Sequence, residues 1–497
     1  MTGLASSTNT SPVATATGTG TATAGAGAGS AAAATGAPAS PSRPWRRALL
    51  WLAGLAPLFY LSYGAANHWA AQRALVSTVF FEWERQLPFW AWTIVPYWTI
   101  NAFYGLSLLL TRRRHELDRH GARLLSAQLI AVACFLIWPL RFGFSQPAVD
   151  GGLPGFLFAG LRSFDAPFNQ APSLHIALAV ILWDFYRRQI HAGWARVVMH
   201  VWALAIGASV LTTYQHHFID IPTGALLGWL CVWAWPLERR VSMAQAWRLT
   251  GDAQRLKLAA YYAVGAVLCA ALAQALGGTA LWLWWGSAAL GLVALIYLGF
   301  GVRGFQTDAQ GRMSLAARWL LAPYRLGAWI NARLWTRRLN AADEVVPGVW
   351  LGHLPGKMSG HVSAGASTST VSHKPALVSL CAELQAPVDA RTRCVPMLDL
   401  VVPAPATLRR AALAIDGQVR AIGQVPGRAV LVSCGLGFSR GAASMACWLV
   451  RSGRAADVAQ AVQRLRQARP QIVLSAAWLA ALEAAVASPT TDRQATP

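Results

Sequence analysis

The sequence predicts a polytopic all-α membrane domain of about eight transmembrane helices, followed by a C-terminal α/β domain. Hydrophobic residues make up 55% of the 497-residue chain and charged residues only 12%, which is typical of a membrane protein. Uncharged stretches of spanning length recur up to residue 302. Beyond about residue 342 they stop, and short apolar runs typical of strands alternate with helix-like runs.

Each predicted transmembrane helix corresponds to an apolar stretch bounded by charged or turn-forming residues. The stretches are 48–72, 86–111, 124–140, 166–186, 197–213 and 221–237, with two more within 258–302. Gly277 and Gly278 mark the turn between the two predicted helices within 258–302. Asp184 interrupts the fourth predicted helix and is expected to pair with Arg187 or Arg188 at the membrane interface.

The remaining segments complete the domain organisation. Residues 1–42 carry no charged side chain and predict a disordered low-complexity tail, and 489–497 predict a second one. The membrane domain spans 43–302 and the α/β domain 342–488. Between them, 303–341 mixes Trp and Leu with Arg and predicts an interfacial amphipathic linker, broken at Pro323. An ordinary linker helix packed on the next domain is an equal alternative.

Charge distribution predicts the orientation of the membrane domain. The net charge is +22, but the basic residues concentrate in alternate short loops, as topology signals and contacts to anionic lipids do. This pattern places both termini in the cytoplasm of a multi-pass inner membrane protein and argues against nucleic acid as a partner. The seven cysteines show no paired spacing, so we expect no disulfide framework, metal site or cofactor.

The membrane domain contains ionisable residues that are costly in an apolar setting and therefore suggest a functional site. His175 follows Pro172-Ser173-Leu174, and His216 precedes Asp220 by four residues, the spacing of neighbours on one helical face. Pro172 is expected to open a helix whose free N–H groups face a phosphate.

These motifs resemble the type 2 phosphatidic acid phosphatase superfamily, in particular its inositol phosphorylceramide synthase-like branch, with "PSLH" in place of "PSGH". The resemblance implies that His216 attacks phosphorus to form a phosphohistidine, that Asp220 orients it and that His175 is the general acid. Arg141 and Ser173 would bind the phosphate.

The resemblance is incomplete in three respects. Gln146 and Val210 occupy positions where the family has arginines. His217 is an alternative nucleophile, although only His216 has the matching spacing to Asp220. The whole group is also compatible with a polar cluster that merely holds helices together.

A second motif lies in the α/β domain. From Val430 the sequence predicts a strand, a glycine-bearing loop and a helix, and Cys434, Gly437 and Arg440 satisfy C-x-x-G-x-x-R. This resembles the signature loop of the protein tyrosine and dual-specificity phosphatases. The resemblance implies an α/β cysteine-phosphatase domain in which Cys434 is the nucleophile and Arg440 grips the phosphate.

The same resemblance assigns further roles. Backbone N–H groups at Gly435, Gly437 and Ser439 would bind the phosphate, and Asp399 would be the general acid. Two positions depart from the family: Ser433 replaces the usual His before the cysteine, and Gly441 replaces the usual Ser or Thr after the arginine.

Together these motifs predict a membrane-bound bifunctional phosphatase acting on lipid phosphates, with membrane lipids as its partners. The predicted topology places the histidine site on the extracytoplasmic face and the cysteine site in the cytoplasm. Two alternatives remain. One is a lipid head-group phosphotransferase, and the other is a non-catalytic phospholipid sensor with a pseudophosphatase domain.

Overall fold

The computed structural model describes residues 44–239, 241–355, 375–387, 389, 391–423 and 428–487. The predicted tails 1–42 and 489–497 lie outside these residues. The described chain begins with twelve helices: α1 (Trp45–Ala71), α2 (Ile94–Leu110), α3 (Arg114–Ile137), α4 (Gly152–Arg162), α5 (Leu174–Gln189), α6 (Gly193–Thr212), α7 (Asp220–Ala234), α8 (Met243–Ala246), α9 (Ala253–Leu276), α10 (Leu283–Leu295), α11 (Leu315–Leu320) and α12 (Ala322–Thr336).

Six helical segments among the described residues are long and apolar enough to cross a membrane. They are Trp45–Ala71, Ala91–Leu110, Arg114–Ile137, Gly193–Thr212, Ala253–Leu276 and Gly278–Phe305. The other two predicted transmembrane helices correspond to α5 and α7, which have 16 and 15 residues. At 1.5 Å per residue each is only about 22–24 Å long, shorter than the hydrocarbon core.

Helices α5 and α7 pack closely because α7 presents two glycines, four residues apart, to its neighbour. A Cβ at Gly224 would lie 2.4 Å from the carbonyl oxygen of Ser173, and one at Gly228 would lie 2.7 Å from that of Ala177. Small residues at this spacing let two helix backbones approach within a membrane. The approach brings the start of α7 against the start of α5, where Ser173 N–H donates to Asp220 O.

The start of α5 differs from the sequence prediction. Ser173, not Pro172, caps the helix, because its hydroxyl accepts from Ile176 N–H at 3.3 Å. Pro172 therefore precedes the cap, and Leu174 is the first helical residue.

Asp184 is the centre of a buried ion-pair network, and it pairs with both arginines that the sequence predicts as its partners. Its carboxylate accepts from Arg187 and Arg188 on its own helix and from Arg123 on α3, at 2.6, 3.1 and 3.0 Å. Asp184 and Arg123 are both fully buried. Arg123 belongs to a loop in the predicted topology, but α3 begins at Arg114 and carries this residue into the helix packing.

The linker contains two consecutive helices, α11 and α12. The chain breaks at Leu321, between α11 and α12, and Pro323 lies in the first turn of α12, where its missing N–H costs nothing. Just before this break, Trp319 O accepts a hydrogen bond from the indole N–H of Trp285 on α10 at 3.0 Å. One face of α12 packs Ala328 and Ala332 on the α/β core.

The α/β domain has a five-stranded sheet in the order β1-β2-β5-β3-β4. Its elements are β1 (Ala342–Val346), β2 (Val349–His353), β3 (Ala376–Cys381), β4 (Thr392–Met397), β5 (Val430–Cys434), α13 (Pro405–Ile422), α14 (Arg440–Arg451), α15 (Val458–Ala468) and α16 (Ala476–Ala487). Only β1 is antiparallel to its neighbour. The carboxyl ends of β5, β3 and β4 therefore meet at one edge.

Replacement of Asp184 by Asn is expected to lower the free energy of unfolding by about 3–5 kcal/mol, because it leaves the buried Arg123 guanidinium without a counter-charge. Thermal unfolding in detergent micelles measures the effect. Glu116→Gln is the control, since Glu116 pairs with the exposed Arg113 at 3.6 Å and its loss is expected to cost no more than about 1 kcal/mol. Equal shifts in the two variants would contradict this account.

Candidate active sites

Cys434 ends the fully buried central strand β5, and the loop that follows leads directly into α14 at Arg440. Gly437 has φ of +76°, and a Cβ there would lie 2.6 Å from the backbone of Gly352, so only glycine fits. In this conformation Gly437 N–H points inward and donates to Cys434 Sγ at 3.2 Å. The loop is thus shaped as a concave anion-binding site at a helix N-terminus.

Arg469, which the sequence prediction missed, stabilises this loop through hydrogen bonds to its carbonyl oxygens. Its fully buried guanidinium donates to the carbonyl oxygens of Gly437 and Leu436, at 3.2 and 3.5 Å, and forms an ion pair with Asp343 at 2.6 Å. Because the carbonyls are turned toward Arg469, the opposite side of the loop presents amides. No motif marks Arg469, which lies 29 residues after Arg440, directly after α15.

Arg440 is held rigidly by carboxylates. It is buried, and its two terminal nitrogens donate to the two oxygens of Glu383 at 2.9 and 2.7 Å and to Asp399 at 2.8 Å. The sequence prediction missed Glu383, which follows β3. Its position at the carboxyl end of a strand parallel to β5 was the available signal. Burial alone would lower the pKa of Arg440, but Asp399 and Glu383 raise it well above its usual value.

Asp399 lies in a loop that is fastened to membrane helices. Tyr297, in the segment after α10, donates its hydroxyl to Asp399 O at 3.1 Å, and Gln254 on α9 donates to Leu400 O at 3.4 Å. Leu400 itself has φ of +56°, an uncommon conformation for a leucine that such contacts must stabilise. The carboxylate of Asp399 remains 45% exposed, so it faces the open side of the site.

The other cysteines of the α/β domain lack this setting. Burial raises the pKa of Cys394 to about 12, that of Cys447 to about 11 and that of Cys381 well above its usual value. Among the described residues of this domain, Cys434 is the cysteine whose sulfur accepts a hydrogen bond from a loop amide at the start of a helix.

The two departures from the family motif have structural consequences. Ser433 is fully buried, and its hydroxyl has no partner among the described residues. A Cβ at Gly441 would lie 3.6 Å from Cys434 Sγ but 2.8 Å from Leu351 Cδ1. A hydroxyl at this position could reach the sulfur only if the end of the Leu351 side chain moved.

In the membrane domain, the α5–α7 contact brings His175, His216 and Asp220 together. His216 Nδ1 lies 3.3 Å from Asp220 Oδ2, which also accepts from His217 N–H. His175 stacks on Tyr97 with ring centroids 4.0 Å apart, and its buried Nε2 has no partner among the described residues. His175 and His216 line the same cavity, of about 60 Å³.

The two adjacent histidines have different environments. His217 Nδ1 lies 2.9 Å from the buried carboxylate of Glu84, and its Nε2 accepts from Gly143 N–H at 3.0 Å. Its ring also stacks on Phe142. Both ring nitrogens are therefore engaged, which leaves His216 as the candidate nucleophile. Glu84, in a short 3₁₀ segment before α2, has no sequence signal that links it to this site.

The resemblance assigns phosphate binding at this site to Arg141. Neither Arg141 nor Arg162 lines the cavity, and Arg162 donates to Phe158 O and covers its ring. Gln146 donates to Thr213 O, and Val210 is fully buried. Asp165, a carboxylate that the sequence analysis did not single out, lines the cavity with several aromatic side chains.

No protein-family model and no curated protein matches the chain. Among solved structures, Tk-PTP in its active form is 17% identical with a TM-score of 0.22, covering 30% of this chain and 97% of its own. Human DUSP28 is 23% identical with a TM-score of 0.23, and PTPMT1 in complex with PI(5)P is 16% identical with a TM-score of 0.22. Each of these two alignments covers 29% of this chain, together with 92% of DUSP28 and 94% of PTPMT1, respectively. With such TM-scores, no conclusion about this protein depends on them.

Tyr297→Phe removes the hydroxyl that holds the Asp399 loop, and we expect it to impair general-acid catalysis at the cysteine site. Loss of one hydrogen bond of about 1 kcal/mol corresponds to a roughly fivefold fall in kcat/KM, which reports the first chemical step. The fall is expected for phenyl phosphate, whose leaving group needs a proton, and to be smaller for para-nitrophenyl phosphate. Tyr261→Phe, at a 61% exposed tyrosine of α9, is the control. Equal losses on both substrates would contradict a positioning role.

Proposed function

We propose that this protein is a membrane-bound phosphoric monoester hydrolase whose α/β domain cleaves phosphorylated lipids at Cys434. The observation that carries this proposal is the combination of a thiol inside an amide-lined loop, a buried arginine and an exposed carboxylate at one edge of the sheet. These groups supply a nucleophile, a phosphate clamp and a proton donor.

The first chemical step forms a cysteinyl-phosphate. Cys434 Sγ, as thiolate, attacks phosphorus while the bond to the leaving oxygen breaks. Arg440 Nε and one terminal nitrogen bind two phosphate oxygens, which requires Asp399 to leave the nitrogen it now occupies. Asp399, protonated beside the dianionic ester, then donates its proton to the leaving oxygen.

The second step restores the enzyme. Water attacks phosphorus, the S–P bond breaks, Asp399 takes the proton from water, and inorganic phosphate and the thiolate are released. The hydroxyl that would stabilise the departing thiolate is missing at Gly441, so this step is expected to limit turnover. Glu383 stays on Arg440 throughout and keeps the guanidinium oriented.

We further propose a second, phosphohistidine-forming site in the membrane domain, which makes the protein bifunctional. His216 would attack phosphorus with its Nδ1 side held by Asp220, and the unpartnered Nε2 of His175 would protonate the leaving alkoxide. Transfer to an acceptor alcohol is the alternative outcome of the same intermediate. The absence of arginine from the cavity lining and the presence of Asp165 favour a weakly held phosphate.

For both sites we propose the orientation that the basic loops predict, with the histidine site on the extracytoplasmic face. The two sites lie toward opposite ends of α7. Asp220 begins this helix, whereas Trp233 near its end donates to Gly304 O, close to the segment that contacts the α/β domain. Helix α7 is about 22 Å long.

Cys434→Ser is expected to lower phosphate release from phenyl phosphate by at least about a thousandfold, because the alcohol is a far weaker nucleophile. Phosphate release by the purified full chain measures this. Cys447→Ala is the control, since the pKa of that buried thiol, raised to about 11, keeps it protonated. Undiminished release from phenyl phosphate in Cys434→Ser would rule out the cysteine mechanism.

His216→Ala is expected to abolish any lipid phosphate release or head-group transfer that persists in Cys434→Ser. Products are separated with and without an added acceptor alcohol, and a new lipid would indicate transfer. His217→Ala serves as a comparison, since its contact with Glu84 gives it a structural role and its loss should lower stability. Full activity of His216→Ala in the Cys434→Ser background would refute the phosphohistidine proposal.

A further inference from the structure

The cysteine site opens into a cleft of about 410 Å³ lined by residues of the α/β domain and of the membrane helices. At one end the cleft is lined by the catalytic edge of the sheet, with Glu383, Asp399, Gly435 and Arg440. The rest of its wall comes from α9, α10 and α12, and includes Tyr262, Gly286, Leu290, Pro323, Tyr324, Gly327 and Ala328. Polar chemistry and apolar walls therefore share one continuous space.

The cleft extends from the catalytic groups into a candidate membrane span. Tyr297, which contacts Asp399, and Gly286, at the far wall, belong to the same apolar segment Gly278–Phe305. Eleven residues separate them, which corresponds to about 16 Å along a helix. That length suits the upper part of an acyl chain, whereas a phosphorylated side chain of a protein would reach only the catalytic end.

Helix α12 forms the outer border of the cleft and has an apolar surface. Leu326, Trp329 and Ile330 are 58%, 49% and 43% exposed, and the guanidinium of Arg333 lies over the Trp329 ring at 5.7 Å. Exposed aromatic and aliphatic side chains with flanking arginines are typical of a helix in contact with a bilayer surface. The border of the cleft is thus a surface suited to lipid rather than to water.

A second cavity, of about 280 Å³, lies on the other side of α12. It is lined by Arg325, Arg333 and His353 and shares Gly435 with the cleft. Two cations beside the phosphate-binding loop favour an anionic head group at this point.

We infer that the substrate of the cysteine site enters laterally from the adjoining membrane leaflet. This substrate is a lipid phosphomonoester whose acyl chain lies between α10 and α12 while its phosphate reaches Arg440. This inference rests on the proposed function and names its substrate class. The phosphate is carried by glycerol or by inositol, and the experiment distinguishes these sources.

Gly327→Phe tests the passage, because a Cβ at Gly327 would meet nothing within 4 Å and the added ring would fill the cleft. The full chain in nanodiscs is assayed with long-chain phosphatidic acid, with a long-chain phosphatidylinositol monophosphate and with soluble phenyl phosphate. We expect the ratio of lipid to phenyl phosphate kcat/KM to fall at least tenfold. The lipid with the higher ratio in the unmodified protein identifies the carrier of the phosphate.

Gly286→Leu blocks the opposite wall independently, since a Cβ there would meet only Cys269 Sγ, at 3.8 Å. Gly417→Phe on α13 is the matched control, at an exposed helical glycine that also has nothing within 4 Å. Unchanged ratios in both cleft variants would overturn the inference while leaving the proposed hydrolase intact. Failure of the unmodified protein to release phosphate from any of the three substrates would overturn the proposed function, and the inference with it.

Discussion

The contact of the Asp399 loop with α9 and with the segment that follows α10 is the interaction on which the rest of the cysteine site depends. Two hydrogen bonds, from Tyr297 to Asp399 O and from Gln254 to Leu400 O, join a catalytic loop to segments apolar enough to span a membrane. They hold Leu400 in a left-handed conformation. Through them, the position of the candidate general acid is set by the membrane domain rather than by the sheet alone.

The two candidate sites differ in the charged side chains available to bind a phosphate. At the cysteine site, Arg440 pairs with Glu383 and Asp399, and in the proposed mechanism an arriving phosphate replaces Asp399, so the buried cation is compensated before and after binding. At the histidine site no guanidinium among the described residues lines the cavity, and Asp165 adds a negative group. The first arrangement fits a dianionic ester well, and the second leaves the helix amides and imidazoles to bind phosphate.

Close packing of helix backbones brings the residues of the histidine site together, as the sheet does for the cysteine site. Gly224 and Gly228 allow α7 to approach α5, and this approach places Asp220 beside Ser173. Glu84 then distinguishes two adjacent histidines by engaging only His217. At the histidine site, therefore, a residue far away in the chain decides which of two adjacent histidines remains free to react.

The sequence by itself determined the elements with strong local signals. Apolar length marked the membrane helices, the glycine and cysteine spacing marked the loop after β5, and the i, i+4 relation marked His216 and Asp220. Strands β1 and β4 lacked such a signal, because edge strands are partly exposed and carry polar residues such as Asp343 and Arg393. Only the tertiary structure decided the partners that lie far apart in the chain: Glu383 and Arg469 at the loop, Glu84 at His217, Arg123 at Asp184, and Tyr297 at Asp399. Periodicity and spacing encode which residues share a helix face or a turn, whereas these contacts depend on how separate elements pack, and no local pattern records that.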